Sequence, residues 1–76
     1  MKAERRKALQ DVVDKLEEAK GILEDLKSDE EDYHDNVPEN LQSSDRYYTS
    51  ESAIENMDTA LSNLEDAISA VTDAAE

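Results

Sequence analysis

Cysteine, tryptophan and phenylalanine are absent from this chain of 76 residues, and glycine and proline occur once each. Without cysteine, neither a disulfide framework nor a thiolate zinc site can stabilise so small a protein. Without a glycine-rich segment there is no loop of the kind that cradles phosphate groups. No apolar run approaches the roughly 18 residues of a membrane span, and the basic, amphipathic start MKAERRKALQ lacks the apolar part of a signal peptide. We therefore expect a cytoplasmic protein that does not associate with membranes.

Positive charge is scarce and lies almost wholly in the first third of the chain. Eight Lys and Arg residues oppose 21 Asp and Glu residues, which gives a formal net charge of −13. Acids and bases balance up to Lys27, and Arg46 is the only Lys or Arg beyond it. Because the last two thirds of the chain would repel phosphate groups, direct binding to nucleic acid is not expected.

Two segments carry apolar residues at alternating spacings of three and four, the pattern of a helix with one buried face. The first segment has Leu9, Val12, Leu16, Ala19, Leu23 and Leu26, and the second has Ile54, Met57, Leu61, Leu64, Ile68 and Val71. Beside the second run lie Ala53, Ala60, Ala67 and Ala74, each seven residues after the last. Such small side chains let another helix approach closely, although alanine is also simply a good helix former.

The segment between the two helices contains the only proline and several turn-forming residues. We predict a first helix over about residues 3–34, a connector over about 35–49 with a short turn near 38–43, and a second helix over about 50–75. Pro38 suits the first position of the turn, and Thr49 or Ser50 is expected to cap the second helix. The result is an all-α, antiparallel two-helix hairpin forming a single domain. Its basic start would then meet Asp73 and Glu76 near the other end of the chain.

A hairpin of two helices buries little apolar surface, and chains this short seldom hide enough of it to fold alone. The apolar stripe is also wider than the seam of a two-stranded coiled coil, because Ala8, Val13 and Ile22 flank it. Self-association is the remaining way to complete a core. The sequence therefore predicts a homo-oligomer, specifically a homodimeric four-helix bundle.

No catalytic or metal-binding constellation emerges from the residue types. The single histidine, His34, is interpreted as a solvated residue near a helix C-terminus, and the acidic run over 29–35 as a solvated charge cluster without the ligand pattern of a calcium loop. Gly21 lies within a helical pattern, where it costs about 1 kcal/mol relative to alanine and suggests a close helix crossing. We expect no enzymatic activity, no cofactor and no bound metal.

The connector Asn-Val-Pro-Glu-Asn-Leu-Gln-Ser-Ser, residues 36–44, precedes an acidic amphipathic helix. In this it resembles small uncharacterised helical-hairpin proteins of bacteriophages and mobile elements of Gram-positive bacteria. The resemblance covers most of the chain and implies a phage-like origin but no particular activity. Connector side chains either cap the helices or contact a partner.

The function predicted from these patterns is that of a structural or protein-interaction accessory protein with a host or phage partner. The alternative is an acidic inhibitor that imitates DNA and occupies a host nucleic-acid-binding protein, since the segment from Glu51 to Glu76 has acidic residues but no Lys or Arg. Candidate partner-contacting residues lie in the connector and on the second helix: Asn36, Glu39, Asn40, Gln42, Ser43, Asp58, Glu65 and Asp66.

Overall fold

The computed structural model describes every residue from Met1 to Glu76 and contains two long helices and no strand. The first helix, α1, spans Ala3–Asp35, and the second, α2, spans Asp45–Ala74. They pack against each other as a hairpin, so the predicted all-α hairpin is confirmed. The molecule is a rod with extents of 60 × 15 × 12 Å. Neither helix contains a stretch apolar enough to cross a membrane.

The connector begins where Asn36 closes α1. The Asn36 backbone N–H and side-chain Nδ2 both donate to the carbonyl oxygen of Asp32, at 3.2 and 2.7 Å. This satisfies a carbonyl that the end of a helix would otherwise leave without a partner. A 3-10 turn over Glu39–Leu41 follows, with Pro38 immediately before it rather than as its first residue. The short turn in the connector is therefore present within the predicted range.

The second helix begins at Asp45, not near residue 50 as predicted. Ser44 caps it, because the Ser44 hydroxyl accepts a hydrogen bond from the Tyr47 backbone N–H at 3.3 Å. Asp45 then lies in the first turn, where the helix dipole favours negative charge. Thr49 and Ser50, the predicted capping residues, are inside the helix. The extra turn exists because it packs on the end of α1, where Tyr47 stacks on His34.

The register of the hairpin follows from two contacts between α1 and α2 near the connector. The Ser50 hydroxyl donates to Glu30 Oε2 at 2.5 Å, and the rings of His34 and Tyr47 stack with centroids 4.2 Å apart. Moving away from the connector in steps of three and four, the same register places Leu23 opposite Met57, Leu16 opposite Leu64, and Leu9 opposite Val71. All of these side chains are half-buried. We call this row of facing positions the seam.

The seam of α1 is only partly the one predicted from the sequence. The half-buried positions of α1 are Arg6, Leu9, Val13, Leu16, Lys20, Leu23, Lys27, Glu30 and His34. Leu9, Leu16 and Leu23 were predicted correctly, but Val12, Ala19 and Leu26 are exposed and do not face α2. On α2 the predicted residues from Ile54 to Val71 do lie in the seam. The seam of α1 thus alternates apolar and charged residues, whereas that of α2 is mainly apolar.

The hairpin alone buries very little. Only Ser50 and Ala75 are buried among the 76 residues. The accessible surface is 5685 Å², whereas a compact monomer of this mass exposes about 4,700 Å² by the usual scaling with mass. The hairpin therefore has more exposed surface than a self-sufficient globular domain of its size.

Gly21 does not mark a helix crossing, because nothing lies within 4 Å of where its Cβ would be. We expect Gly21→Ala to raise the free energy of unfolding by about 0.5–1 kcal/mol, since alanine loses less conformational entropy in a helix. Urea unfolding followed by circular dichroism would measure the change. Destabilisation by this substitution would mean that another chain occupies the space beside Gly21.

Candidate interaction surfaces

One face of the hairpin is apolar along its length. On α1 it carries Val12, Ala19, Leu26 and Tyr33, at intervals of seven, and on α2 it carries the alanine column of Ala53, Ala60, Ala67 and Ala74. Both rows lie on the same side of the seam, because Tyr33 and Ala53 line one recess between the helices. Val12 is 42% exposed, Leu26 54% and Tyr33 50%. We call these eight residues the apolar face; no residue in it is charged.

The opposite face of the hairpin is acidic. Glu17, Glu24 and Glu31 of α1 lie there beside Glu51, Asp58 and Glu65 of α2. Gln10 and Thr72 continue the two rows and line a common recess near the other end of the rod. We call the six carboxylates the acidic face. The acidic face and the apolar face therefore lie on opposite sides of the seam.

Two seam lysines hold the acidic rows together. Lys20 reaches Glu65 at 3.5 Å and Glu24 at 4.0 Å, and Lys27 reaches Asp58 at 2.6 Å and Glu31 at 3.9 Å. The lysine side chains are only 28% and 23% exposed, because their methylene stems lie in the seam while the ammonium groups reach the acidic face. The predicted ion pairs between the basic start and Asp73 or Glu76 do not form. Arg6, one of these basic residues, is half-buried at a seam position.

Pairing with Asp58 has a consequence for the protonation of Lys27. The hydrogen bond to Asp58 raises the pKa of the Lys27 ammonium above its ordinary value of 10.5, and Glu31 and Glu24 act in the same direction against partial desolvation. A raised pKa means that the pair stabilises the fold below the unfolded pKa. That contribution is lost as the pH rises through the folded pKa.

We expect Asp58→Asn to lower the Lys27 pKa toward its ordinary value, because the largest favourable cause is removed. An NMR titration of the lysine side-chain resonances would measure the shift. Asp66→Asn is the matched control, since Asp66 forms no ion pair. An equal fall in both variants would show that net charge, and not the Asp58 contact, sets the Lys27 pKa.

Aromatic residues gather at the connector end of the rod. Tyr33 lines a recess together with Val37, Pro38 and Leu41, and Leu41 is 50% exposed. The apolar face therefore continues onto the connector. His34 is not solvated as predicted: it is half-buried and stacked on Tyr47, because it occupies the last seam position of α1.

The connector side chains named as candidate contacts divide into two groups. Asn36 and Gln42 donate to backbone carbonyl oxygens, those of Asp32 and Val37, so their amides act as caps. Glu39, Asn40 and Ser43 are exposed and form no side-chain hydrogen bond within the protein. These three are the connector groups left available to a partner.

The structure also separates the candidate contacts on α2 from those of the connector. Asp58 and Glu65 lie on the acidic face and are engaged by Lys27 and Lys20, although both remain more than half exposed. Asp66 is exposed and unpaired. The candidate residues therefore do not form one site. Five lie in the connector, and Asp58 and Glu65 lie on the acidic face.

No protein-family model, curated protein or solved structure matches this chain. The functional reading consequently rests on the chain's own surfaces. No three side chains of His, Cys, Asp or Glu converge in a geometry that could hold a metal ion. Every residue of the apolar face except Tyr33 was named from the sequence, but the sequence did not show that these residues form one face outside the contact between α1 and α2. The regular spacing of seven residues that runs from Val12 through Ala19 and Leu26 to Tyr33 was the pattern that could have identified it.

Proposed function

We propose that this chain is a non-enzymatic protein-interaction protein that acts as a homodimeric four-helix bundle. The apolar face is the observation that carries the proposal. Its row on α1 is exposed from Val12 to Tyr33 in the single hairpin, and its row on α2 is half-buried except at the exposed Ala74. Soluble proteins rarely leave such a surface uncovered unless it binds another protein.

The size of the apolar face suits a second copy of the chain. A strip 60 Å long and 15 Å wide would bury on the order of 900 Å² on each copy, or roughly 1,800 Å² in total, within the range of stable interfaces. The surface in excess of a compact monomer is of the same order. A second hairpin laid on the apolar face would supply the missing core.

Charge also favours a second copy on this face rather than on the other. Each chain carries a net charge of −13, so two copies repel each other unless their acids stay apart and hydrated. The apolar face contains no acidic residue, whereas the acidic face contains six. Packing the apolar faces together leaves both acidic faces in solvent.

Sedimentation equilibrium tests the dimer directly. We expect dimers at micromolar concentration and a melting temperature that rises with protein concentration, because dissociation accompanies unfolding. A helical monomer that is stable at micromolar concentration would contradict the proposal. In that case the chain would fold without a second copy.

The assembled bundle would present the connectors and the acidic faces to other proteins. Glu39, Asn40 and Ser43 supply unpaired polar groups beside the exposed Leu41, a mixture of polar and apolar groups that suits a protein contact. The connector's resemblance to phage and mobile-element proteins supports an accessory role in such a system. The partner on this reading is a host or phage protein.

A second candidate function is inhibition of a nucleic-acid-binding protein by imitation of DNA. The segregation of six carboxylates onto one face favours it, because two rows of negative charge would attract a basic groove. Lys20 and Lys27 lie between those rows and pair with two of the carboxylates, which weakens the imitation.

Affinity capture from a bacterial lysate at low and high salt separates the two functions. Imitation of DNA predicts basic nucleic-acid-binding proteins that are released by salt and that are not captured by a variant carrying Glu17→Gln, Glu24→Gln and Glu51→Gln, three carboxylates of the acidic face. Capture that survives both high salt and these substitutions would contradict imitation of DNA. It would support an apolar contact through the connector. In that case Leu41→Ser should reduce the capture.

A further inference from the structure

The two rows of the apolar face differ in side-chain size. On α1 the row holds Val12, Leu26 and Tyr33, interrupted only by Ala19, whereas the row on α2 consists entirely of alanine. The distance between packed helices depends on the side chains at the contact. The pairing of the two rows across the dimer therefore determines whether the two new helix contacts have the same separation.

A symmetric dimer built on the apolar face has two possible arrangements. With the two-fold axis along the rod, α1 of each copy lies over α2 of the other, and both connectors lie at one end. With the axis across the rod, α1 lies over α1 and α2 over α2, and the connectors lie at opposite ends. Neighbouring helices are antiparallel in both arrangements, so helix dipoles do not choose between them.

We propose that the second copy packs with α1 over α2, so that both connectors meet at one end of the bundle. This inference rests on the proposed homodimer and specifies its geometry. It places Leu26 over the partner's Ala53 and Val12 over the partner's Ala67, at the levels set by the register of the hairpin. Each of the two new helix contacts then has the same composition and the same separation.

The other arrangement packs unevenly. It stacks the larger α1 row on itself along one edge and the alanine column on itself along the other, so the hairpins would splay and leave voids beside the larger residues. It would bring Lys15 near the partner's Asp29, which is its one electrostatic advantage. An exposed ion pair of this kind contributes little, so side-chain packing determines which arrangement is more stable.

The biological consequence is a paired partner surface. Two copies of Glu39, Asn40 and Ser43, with the two Leu41 side chains, would lie side by side at one end of the bundle, related by the two-fold axis along it. A partner with two equivalent binding elements could then contact both connectors at once, and the second contact would form at a high effective concentration.

Distances between spin labels test the arrangement, and the absence of native cysteine makes labelling specific. We would label Ser43→Cys, which is exposed and forms no side-chain hydrogen bond, and measure the label-to-label distance in the dimer by pulsed dipolar spectroscopy. We expect about 20–35 Å, given helix spacings of about 8–10 Å and the length of the labels. Connectors at opposite ends would instead be separated by about the 60 Å length of the rod.

Glu18→Cys is the matched control, because it is exposed near the middle of α1 and gives similar distances in both arrangements. A short distance at both sites supports the proposal. A short distance at Glu18→Cys with one near the rod length at Ser43→Cys overturns this arrangement while leaving the homodimer intact. No dipolar signal at either site, together with monomers in sedimentation, overturns the proposed homodimer as well.

Discussion

Ala60→Glu is expected to raise the dissociation constant of the dimer at least about 100-fold, because an unpaired carboxylate in a buried interface costs about 3–5 kcal/mol. Ala60 is half-buried in the middle of the apolar face, where the second copy would cover it. The symmetry of a dimer places the new charge in the interface twice. Sedimentation equilibrium over a range of concentrations would measure the effect.

Ser62→Glu is the control for this substitution. Ser62 is exposed on α2, only two residues from Ala60, but on the side of the helix that borders the acidic face. Both variants gain one negative charge and end in the same side chain. If the two variants dissociate to the same extent, general charge repulsion and not the apolar face controls association.

Leu23→Ala is expected to lower the free energy of unfolding by about 2–3 kcal/mol, the usual cost of truncating a leucine in a packed core. Leu23 lies in the seam opposite Met57, so its loss weakens the hairpin itself. Urea unfolding followed by circular dichroism, at several protein concentrations, would give the change in stability.

Leu26→Ala provides the comparison, since it removes the same atoms from the same helix but from the apolar face. Leu26 is 54% exposed in the hairpin, so its truncation should leave the helices formed and weaken association at least about tenfold, a factor equivalent to about 1.4 kcal/mol. If Leu26→Ala lowers the helix content as much as Leu23→Ala at protein concentrations where both variants are dimeric, Leu26 packs on α2 after all.

The contrast between Leu23 and Leu26 also shows how far the sequence predicts this fold. Periodicity identifies both helices, and the residues from Ile54 to Val71 are assigned correctly to the seam. On α1, however, the predicted stripe is rotated away from α2, because it includes Val12 and Leu26 and omits Lys20 and Lys27. A hydrophobic pattern shows which side of a helix avoids water, but not how many neighbours share that side. The stripe of α1 lies between the side that faces α2 and the apolar face, as the proposed four-helix bundle would require.

The remaining differences have local causes. Thr49 and Ser50 are suitable cap residues by type, but Ser44 caps α2 instead, because the longer helix lets Tyr47 stack on His34. The pairing of Lys27 with Asp58 depends on the register, which a one-dimensional charge pattern does not contain. The short turn of the connector lies within its predicted range, because proline and asparagine restrict the backbone wherever they occur, whereas the end of the connector was predicted too late.

The clustering of Tyr33, Tyr47 and Tyr48 gives the molecule an optical probe confined to one end. The chain has no tryptophan, so its near-ultraviolet absorbance and intrinsic emission come from these three rings. Tyr47 contacts both His34 and Tyr48, and Tyr33 is on the apolar face. Tyrosine emission should therefore change when a partner binds at the connector end. It should not change when the opposite end of the rod unfolds locally. Unlabelled protein could thus report partner binding in real time.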